Sequence, residues 1–371
     1  MTFFPFSHYN DKKEWEVHRI VTTYDIAIIG GGPAGATFAR ELARMQPELK
    51  IAVIDEKPKT GSKVCGGLLA PDAQKVLAQF DLSLPKSILA DPQIFDVETV
   101  DLCTGLSRNY QRHYLNMDRS KFDQWLLTLI PEHVDVINGR CISIEAGFQL
   151  HLHTEHGDDT VECDYLVGAD GGSSIVRRTF FTPPKKQYVA IQEHFPDNGA
   201  DIPPYSCIFD PETSDSCSWT IRKDGYFIFG GAFQQNGCRE AYQMQRQRLE
   251  AYLGVPFGQP IKREACLLTS LRSPRDFILG KDRVFLLGEA AGFVSPSSFE
   301  GFSSAFSNGK ALADAFACCS DAAAILQDYK RKTRKLRLKL LCKIPKMKIL
   351  CSPALRKIIL RSGIQSIQKY D

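Results

Sequence analysis

No apolar run in this chain approaches the roughly 18 residues that a membrane-spanning helix needs. The stretch from Met1 to Thr23 carries aromatics but no continuous apolar segment of signal-peptide type. The 12 cysteines include no Cys-x-x-Cys pair, which argues against a dithiol redox centre or a zinc knuckle. They read as reduced thiols of a cytoplasmic protein, mostly buried as small hydrophobes. Acidic residues are missing altogether between Lys330 and Arg361, where 13 Lys or Arg occur. The overall charge of +3 less those 13 leaves −10 on the rest of the chain. An acidic body with a basic tail points to an anionic surface as partner. His151, His153 and His156 lie close together, but Gln149 to Thr154 alternates like a strand and no carboxylate pattern accompanies them. No metal site is expected.

What the chain does have begins at Tyr24. Tyr24 to Ile29 is a short β-branched apolar run and reads as a buried parallel strand. Gly30-Gly31-Gly32-Pro33-Ala34-Gly35 follows at once, then a helix-forming stretch from Ala36 to Met45. A second apolar run, Ile51 to Ile54, ends in Asp55-Glu56. This is a βαβ unit with the dinucleotide fingerprint in its first turn. Gly30 permits the tight turn, Gly32 lets a pyrophosphate approach the backbone, and Gly35 lets helix and strand pack closely. The helix N-terminus, through Pro33 and Ala34, offers unpaired N–H groups and the positive end of its dipole. Asp55, or Glu56 if the strand ends one residue later, is placed for the ribose hydroxyls. The fingerprint alone does not separate FAD from NAD.

Two distant motifs address that choice. Tyr165 to Ala169 leads into Asp170-Gly171-Gly172-Ser173-Ser174-Ile175-Val176-Arg177, and Val284 to Leu287 leads into Gly288-Glu289-Ala290-Ala291-Gly292. Each sets an acid and glycines at the end of a buried strand, where open α/β sheets bind ligands. Together GGGPAG, ADGGSSIVR and LLGEAAGFVSPSSFEG resemble the three signatures of flavoproteins with the p-hydroxybenzoate hydroxylase-type fold. Cys65-Gly66-Gly67-Leu68, Ser218-Trp219 with Lys223-Asp224-Gly225, and Arg119 in Met117 to Asp123 resemble the geranylgeranyl reductase family within it. The resemblance covers nearly all of residues 24–365.

The resemblance implies FAD as cofactor, with NAD(P)H or another reductant as a transient electron donor, since no second βαβ fingerprint is visible. It implies that Gly30, Gly32, Gly35 and Asp55 hold the ADP half and that Arg119 supports the cofactor. Cys65, Gly66 and Gly67 would line the flavin, and Asp170 would border its groove. Gly288 and Glu289 would face the ribityl chain, with Gly292, Glu300 and Gly301 near the ring. One departure is Glu289, where the family usually has Asp. The carboxylate is kept but sits one methylene further out.

The fold expected is mixed α/β: a Rossmann-like FAD-binding domain, a β-sheet substrate domain and a basic helical C-terminal segment. Residues 24–75, 100–180 and 270–330 would form the first, and 76–99 with 181–269 the second. Residues 331–371 would form the tail, with 1–23 an extension of no assigned role. Ser218 to Ile221 and Tyr226 to Gly230 read as a hairpin across Lys223-Asp224-Gly225. Cys65 is the catalytic candidate by resemblance, while its residue context equally fits a buried thiol at a glycine turn. Trp219, Tyr226, Phe227 and Phe229 would wall an apolar tunnel or fill a sheet core. Tyr205 and His194 are further polar candidates without supporting spacing. Leucines among the basic residues of the tail suggest amphipathic helices, broken near Pro345 and Pro353, that dock peripherally on anionic lipid. No nucleic-acid module accompanies the charge. The resemblance implies an enzyme reducing C=C bonds of an isoprenoid or other lipid-like, hydrophobic substrate. The same fold supports aromatic monooxygenases, and a non-catalytic flavoprotein with an envelope or redox-sensing role is the third reading.

Overall fold

The computed structural model describes residues 21–56, 64–197, 199 and 202–370. Two sheets organise them. The first is parallel at its centre, where Asp135–Ile144, Ile51–Asp55, Thr22–Ile29, Gly157–Gly168 and Val284–Leu286 lie side by side. Ile26, Ala27, Ile28 and Ile29 are buried on both faces, which is why this strand reads as an unbroken apolar run. Gln149–Thr154 pairs antiparallel with both Asp135–Ile144 and Gly157–Gly168, so the closely spaced histidines lie on a strand. Helices Pro33–Met45 and Phe302–Cys318 pack tightly together. A Cβ on Gly309 would stand 2.7 Å from the Ala34 carbonyl oxygen.

The second sheet has eight strands. From one edge they are Lys262–Thr269, Gln187–Pro196, Tyr226–Gln234, Cys217–Lys223, Tyr205–Phe209, Ile94–Asp101, Leu106–Asn116 and Leu68–Leu69. All neighbours are antiparallel except Tyr205–Phe209 with Ile94–Asp101. The expected hairpin is present, and Asp224 (φ 41°) and Gly225 (φ 81°) form its two-residue turn. Two positive φ angles match the twist of the flanking strands. Helix Cys238–Leu253 covers the back of this sheet over a separate aromatic core of Phe195, Phe227, Phe229, Phe233, Tyr242 and Phe257.

Two expectations need correction. The domain boundary at residue 100 falls inside a strand; Ile94–Asp101 and Leu106–Asn116 both belong to the second sheet, so the chain returns to the first layer only after Asn116. Leu68–Leu69 also joins the second sheet, within the span assigned to the first domain. The tail is helical over Arg334–Leu341, Lys343–Cys351 and Pro353–Ser362, with breaks near Pro345 and Pro353 as expected. Pro345 sits in a first turn, where its missing N–H is no loss, and Pro353 opens the last helix. The tail also contributes core. Arg356 is buried, and its Nε donates to the Asp101 carboxylate at 2.8 Å.

Candidate functional site

The fingerprint turn is built as its glycines require. Gly30 has φ 106°, and a Cβ there would sit 2.5 Å from the Ala169 carbonyl oxygen. A Cβ on Gly35 would stand 2.0 Å from the Gly30 oxygen, so only glycine lets the helix cross the strand this closely. Gly32, in contrast, has nothing within 4 Å on its Cβ side and leaves the helix N-terminus open. That terminus has no side-chain cap and no acidic residue in its first turn. Pro33 starts the helix, and Ala34 packs behind the turn. Asp55 accepts from the Gly31 N–H at 2.8 Å. Burial raises the Asp55 pKa, and that bond partly offsets it. Glu56 follows the strand and is exposed.

The second motif closes the same end of the sheet. Asp170 accepts from the Ile175 N–H at 2.6 Å, while its Oδ1 is buried without a hydrogen-bond partner among the described residues. Burial raises its pKa. In the third motif Gly288 (φ 58°) and Gly292 (φ 90°) bend the chain around a short helical turn. Glu289 Oε1 accepts from the Thr269 N–H at 2.7 Å, which ties this turn to the second sheet. Gly301 opens the long helix that begins at Phe302. Open backbone at Gly32 and an uncapped helix end fit the diphosphate of a dinucleotide, and the orphaned Asp170 oxygen fits a donor such as a cofactor hydroxyl.

The second sheet faces these turns with alternate side chains. In Cys217–Lys223 the facing side chains are Trp219, Ile221 and Lys223: a Cβ on Gly66 would meet Ile221 Cδ1 at 2.4 Å, and one on Gly67 would meet Lys223 Nζ at 2.8 Å. Register carries this face across the sheet to Tyr205, Tyr226, Ile228, His194, Gln192, Lys262 and Glu264. Phe229 lies on the opposite face, stacked on Tyr242 at 5.1 Å within the rear core. It and Phe227 therefore do not wall the site, whereas Trp219 and Tyr226 are on the facing side. Period-two geometry forces this split, because adjacent residues of a strand cannot share a face.

A cavity of about 180 Å³ lies between the layers, lined by Cys65, Arg119, Lys223, His194, Tyr226 and Lys262 among others. Cys65 is half-buried, and its sulfur accepts from the Gly67 N–H at 3.4 Å. Arg119 binds Asp123 at 2.9 Å and lies over the Phe302 ring. Burial alone would lower its pKa, but Asp123 and the Cys65 sulfur hold it above the usual value. Lys223 is buried and donates to Asn116 Oδ1 and the Met117 carbonyl, both at 2.5 Å, and to the Gly67 carbonyl at 3.3 Å. Burial lowers its pKa to about 8. His194 Nε2 lies 3.1 Å from Glu264 Oε2, and the ring stacks on Tyr226. Burial would raise the Glu264 pKa, but hydrogen bonds from His194 and Lys262 carry it below the ordinary range. Tyr205 packs edge-on against Tyr114, whose hydroxyl donates to Glu300 at 2.8 Å.

Sequence reasoning missed Asn116, Lys262, Glu264 and Gln192. The polar Gln192 and His194, two apart in an apolar strand, were a readable signal. Asn116 and Glu264 carried none, because only strand register brings them to this face.

Comparison with known proteins fits this geometry. A family described as FAD binding domain matches residues 145–343, and one described as pyridine nucleotide-disulphide oxidoreductase matches residues 24–190. The chain is 42% identical to Protein CbrA of Escherichia coli O6:H1 over 353 residues, covering 93% of this chain and 94% of that one. Protein CbrA of Shigella sonnei is likewise 42% identical, with 98% of its length covered. A geranylgeranyl bacteriochlorophyll reductase-like protein from Thermoplasma acidophilum shares the fold at a TM-score of 0.75 and 19% identity, covering 91% of each chain. The p-nitrophenol 4-monooxygenase PnpA from Pseudomonas putida does so at a TM-score of 0.68 and 16% identity, covering 92% of this chain and 94% of that one. The chain belongs to the FAD-dependent oxidoreductase family that includes the CbrA proteins.

Proposed function

We propose that this flavoprotein reduces carbon–carbon double bonds of an isoprenoid or similar lipid-like substrate bound between the two layers. When bound, FAD supplies the reducing equivalents as hydride, replenished by NAD(P)H or another reductant. Gly30, Gly32, Pro33, Ala34 and Gly35 would hold the diphosphate at the helix N-terminus, and Asp55 the ribose. Arg119, Asp170, Gly288, Glu289, Gly292 and Gly301 would complete the cofactor groove, with Gly66 and Gly67 at its floor. Trp219, Ile221, Tyr226 and Ile228 present a largely apolar wall for the substrate chain.

The observation that carries the reading is the position of Cys65. Its thiol sits in the cavity wall, in contact with the Arg119 guanidinium. A thiol there, beside the Gly66-Gly67 turn, is placed to orient an alkene carbon against a ring held at those glycines. Hydride addition to an alkene also needs a proton for the second carbon. His194 is suited to hold it: Glu264 fixes Nε2, and Nδ1 has no hydrogen-bond partner among the described residues.

The test is to reduce the FAD-loaded protein anaerobically and add polyprenyl lipids. Lipid-dependent flavin reoxidation is expected. Rapid NADPH-dependent oxygen consumption with an aromatic substrate, and none of that lipid response, would move the protein to the monooxygenases. A protein that takes up no FAD would overturn both.

A further inference from the structure

The C-terminal helices lie outside the cleft and form a surface of their own. Helix Pro353–Ser362 turns Arg356 and Leu360 inward, where they are buried. The inward face is pinned by the Arg356–Asp101 ion pair and by the Arg356 guanidinium over Phe209. This fixes which face looks out. Leu355 and Ile358, three apart, project to solvent at 44% and 64% exposure, and Ile364 follows at 69%. The preceding helix Lys343–Cys351 packs against this one. It buries Met347 and exposes Lys346, Lys348 and Ile349.

Single exposed apolar residues are ordinary on a protein surface. Their distribution here is not. Seven of the thirteen large exposed hydrophobics among the described residues fall between Leu338 and Tyr370. They share that stretch with Lys346, Lys348 and Arg361, none of which has an acidic partner among the described residues. The inward residues already satisfy the core, so folding does not require the outward ones to be apolar.

We infer that the outward face of helices Lys343–Cys351 and Pro353–Ser362 docks on an anionic lipid bilayer. Leu355, Ile358 and Ile364 enter the headgroup boundary, and Lys346, Lys348 and Arg361 meet the lipid phosphates. Mixed cations and large aliphatics fit a lipid surface, because apolar side chains gain there by leaving water while the charges stay at the interface. A nucleic-acid backbone would use the cations alone. No helix among the described residues is long and apolar enough to cross the membrane, so the contact is peripheral. This inference rests on the surface alone and does not depend on the reaction proposed above.

The experiment is co-sedimentation of the FAD-loaded full chain with vesicles of phosphatidylcholine, with and without about one third phosphatidylglycerol. Binding is expected to the anionic vesicles and to fall with added salt. The double variant Lys346→Glu/Lys348→Glu should bind at least about tenfold more weakly. Leu355→Asp/Ile358→Asp should lose a similar factor even at low salt. Both should keep the parent's melting temperature and flavin absorbance, since all four side chains point outward. Absence of vesicle binding at low salt overturns the inference. So does parental binding by the Leu355/Ile358 variant, or binding to duplex DNA in place of vesicles.

Discussion

The two sheets meet the same cleft in different ways. The parallel sheet meets it with backbone, at strand ends where Gly30, Gly32, Asp170 and Gly288 turn the chain. The antiparallel sheet meets it with side chains, spread across one face from Tyr205 to Lys262. Where the turn is packed against main chain, as at Gly30, it is intolerant of an added atom, because the atom displaced belongs to the backbone. A side-chain wall tolerates exchange, provided the face is kept. The first layer therefore fixes which cofactor binds, and the second is free to vary with the substrate.

Substitutions at the turn test this difference most severely. Gly35→Val should destabilise by about 4 kcal/mol or more and yield little flavin-bearing protein, since its Cβ would lie 2.0 Å from a main-chain oxygen. Gly32→Ala, with no atom within 4 Å, should keep the apo melting temperature and weaken flavin retention alone. If both behave alike in thermal melts and flavin absorbance, the backbone account of the first layer is wrong.

Lys223 sharpens the link between the layers. Its pKa near 8 in the fold, against 10.5 when exposed, means the unfolded chain binds more protons between those values. Stability contributed by this group therefore rises with pH across that window and is least below pH 8, by about 3 kcal/mol. Lys223→Met should flatten that slope, read as the difference in denaturant midpoints from pH 7.5 to 10. An unchanged slope would place the lysine's charge elsewhere.

Cys65→Ala should retain FAD and slow lipid-dependent flavin reoxidation about a hundredfold through loss of substrate positioning. Normal reoxidation would leave Cys65 a packing residue. The smallest effect is expected at Phe229. Phe229→Leu should cost about 1 kcal/mol in stability and leave reoxidation unchanged, because its ring packs against Tyr242 and Phe257 behind the sheet. A change in substrate response would reverse the assignment of faces.

Much of the first layer was legible because its signals are local. Strand, glycine turn, helix and terminal acid follow one another between Tyr24 and Asp55, and each position answers to backbone sterics. The hairpin at Asp224-Gly225 was legible for the same reason. The second layer was less so. Trp219, Tyr226 and Phe229 are all aromatic in adjacent strands, and composition did not say that Phe229 points away. The strand Leu106–Asn116 was assigned to the wrong layer because nothing local marks which sheet a strand will join.

By itself, then, the sequence determined the nucleotide turn, the flavin motifs and the basic tail, since short-range sterics and charge are properties of neighbouring residues. Only the tertiary structure decided that Cys65, Arg119, Lys223 and His194 share one cavity, with Glu264 against the His194 ring. It alone also decided that the tail buries Arg356 against Asp101 while turning Leu355 and Ile358 outward. Strand register and helix docking bring together residues up to 255 positions apart, and no local signal encodes that pairing.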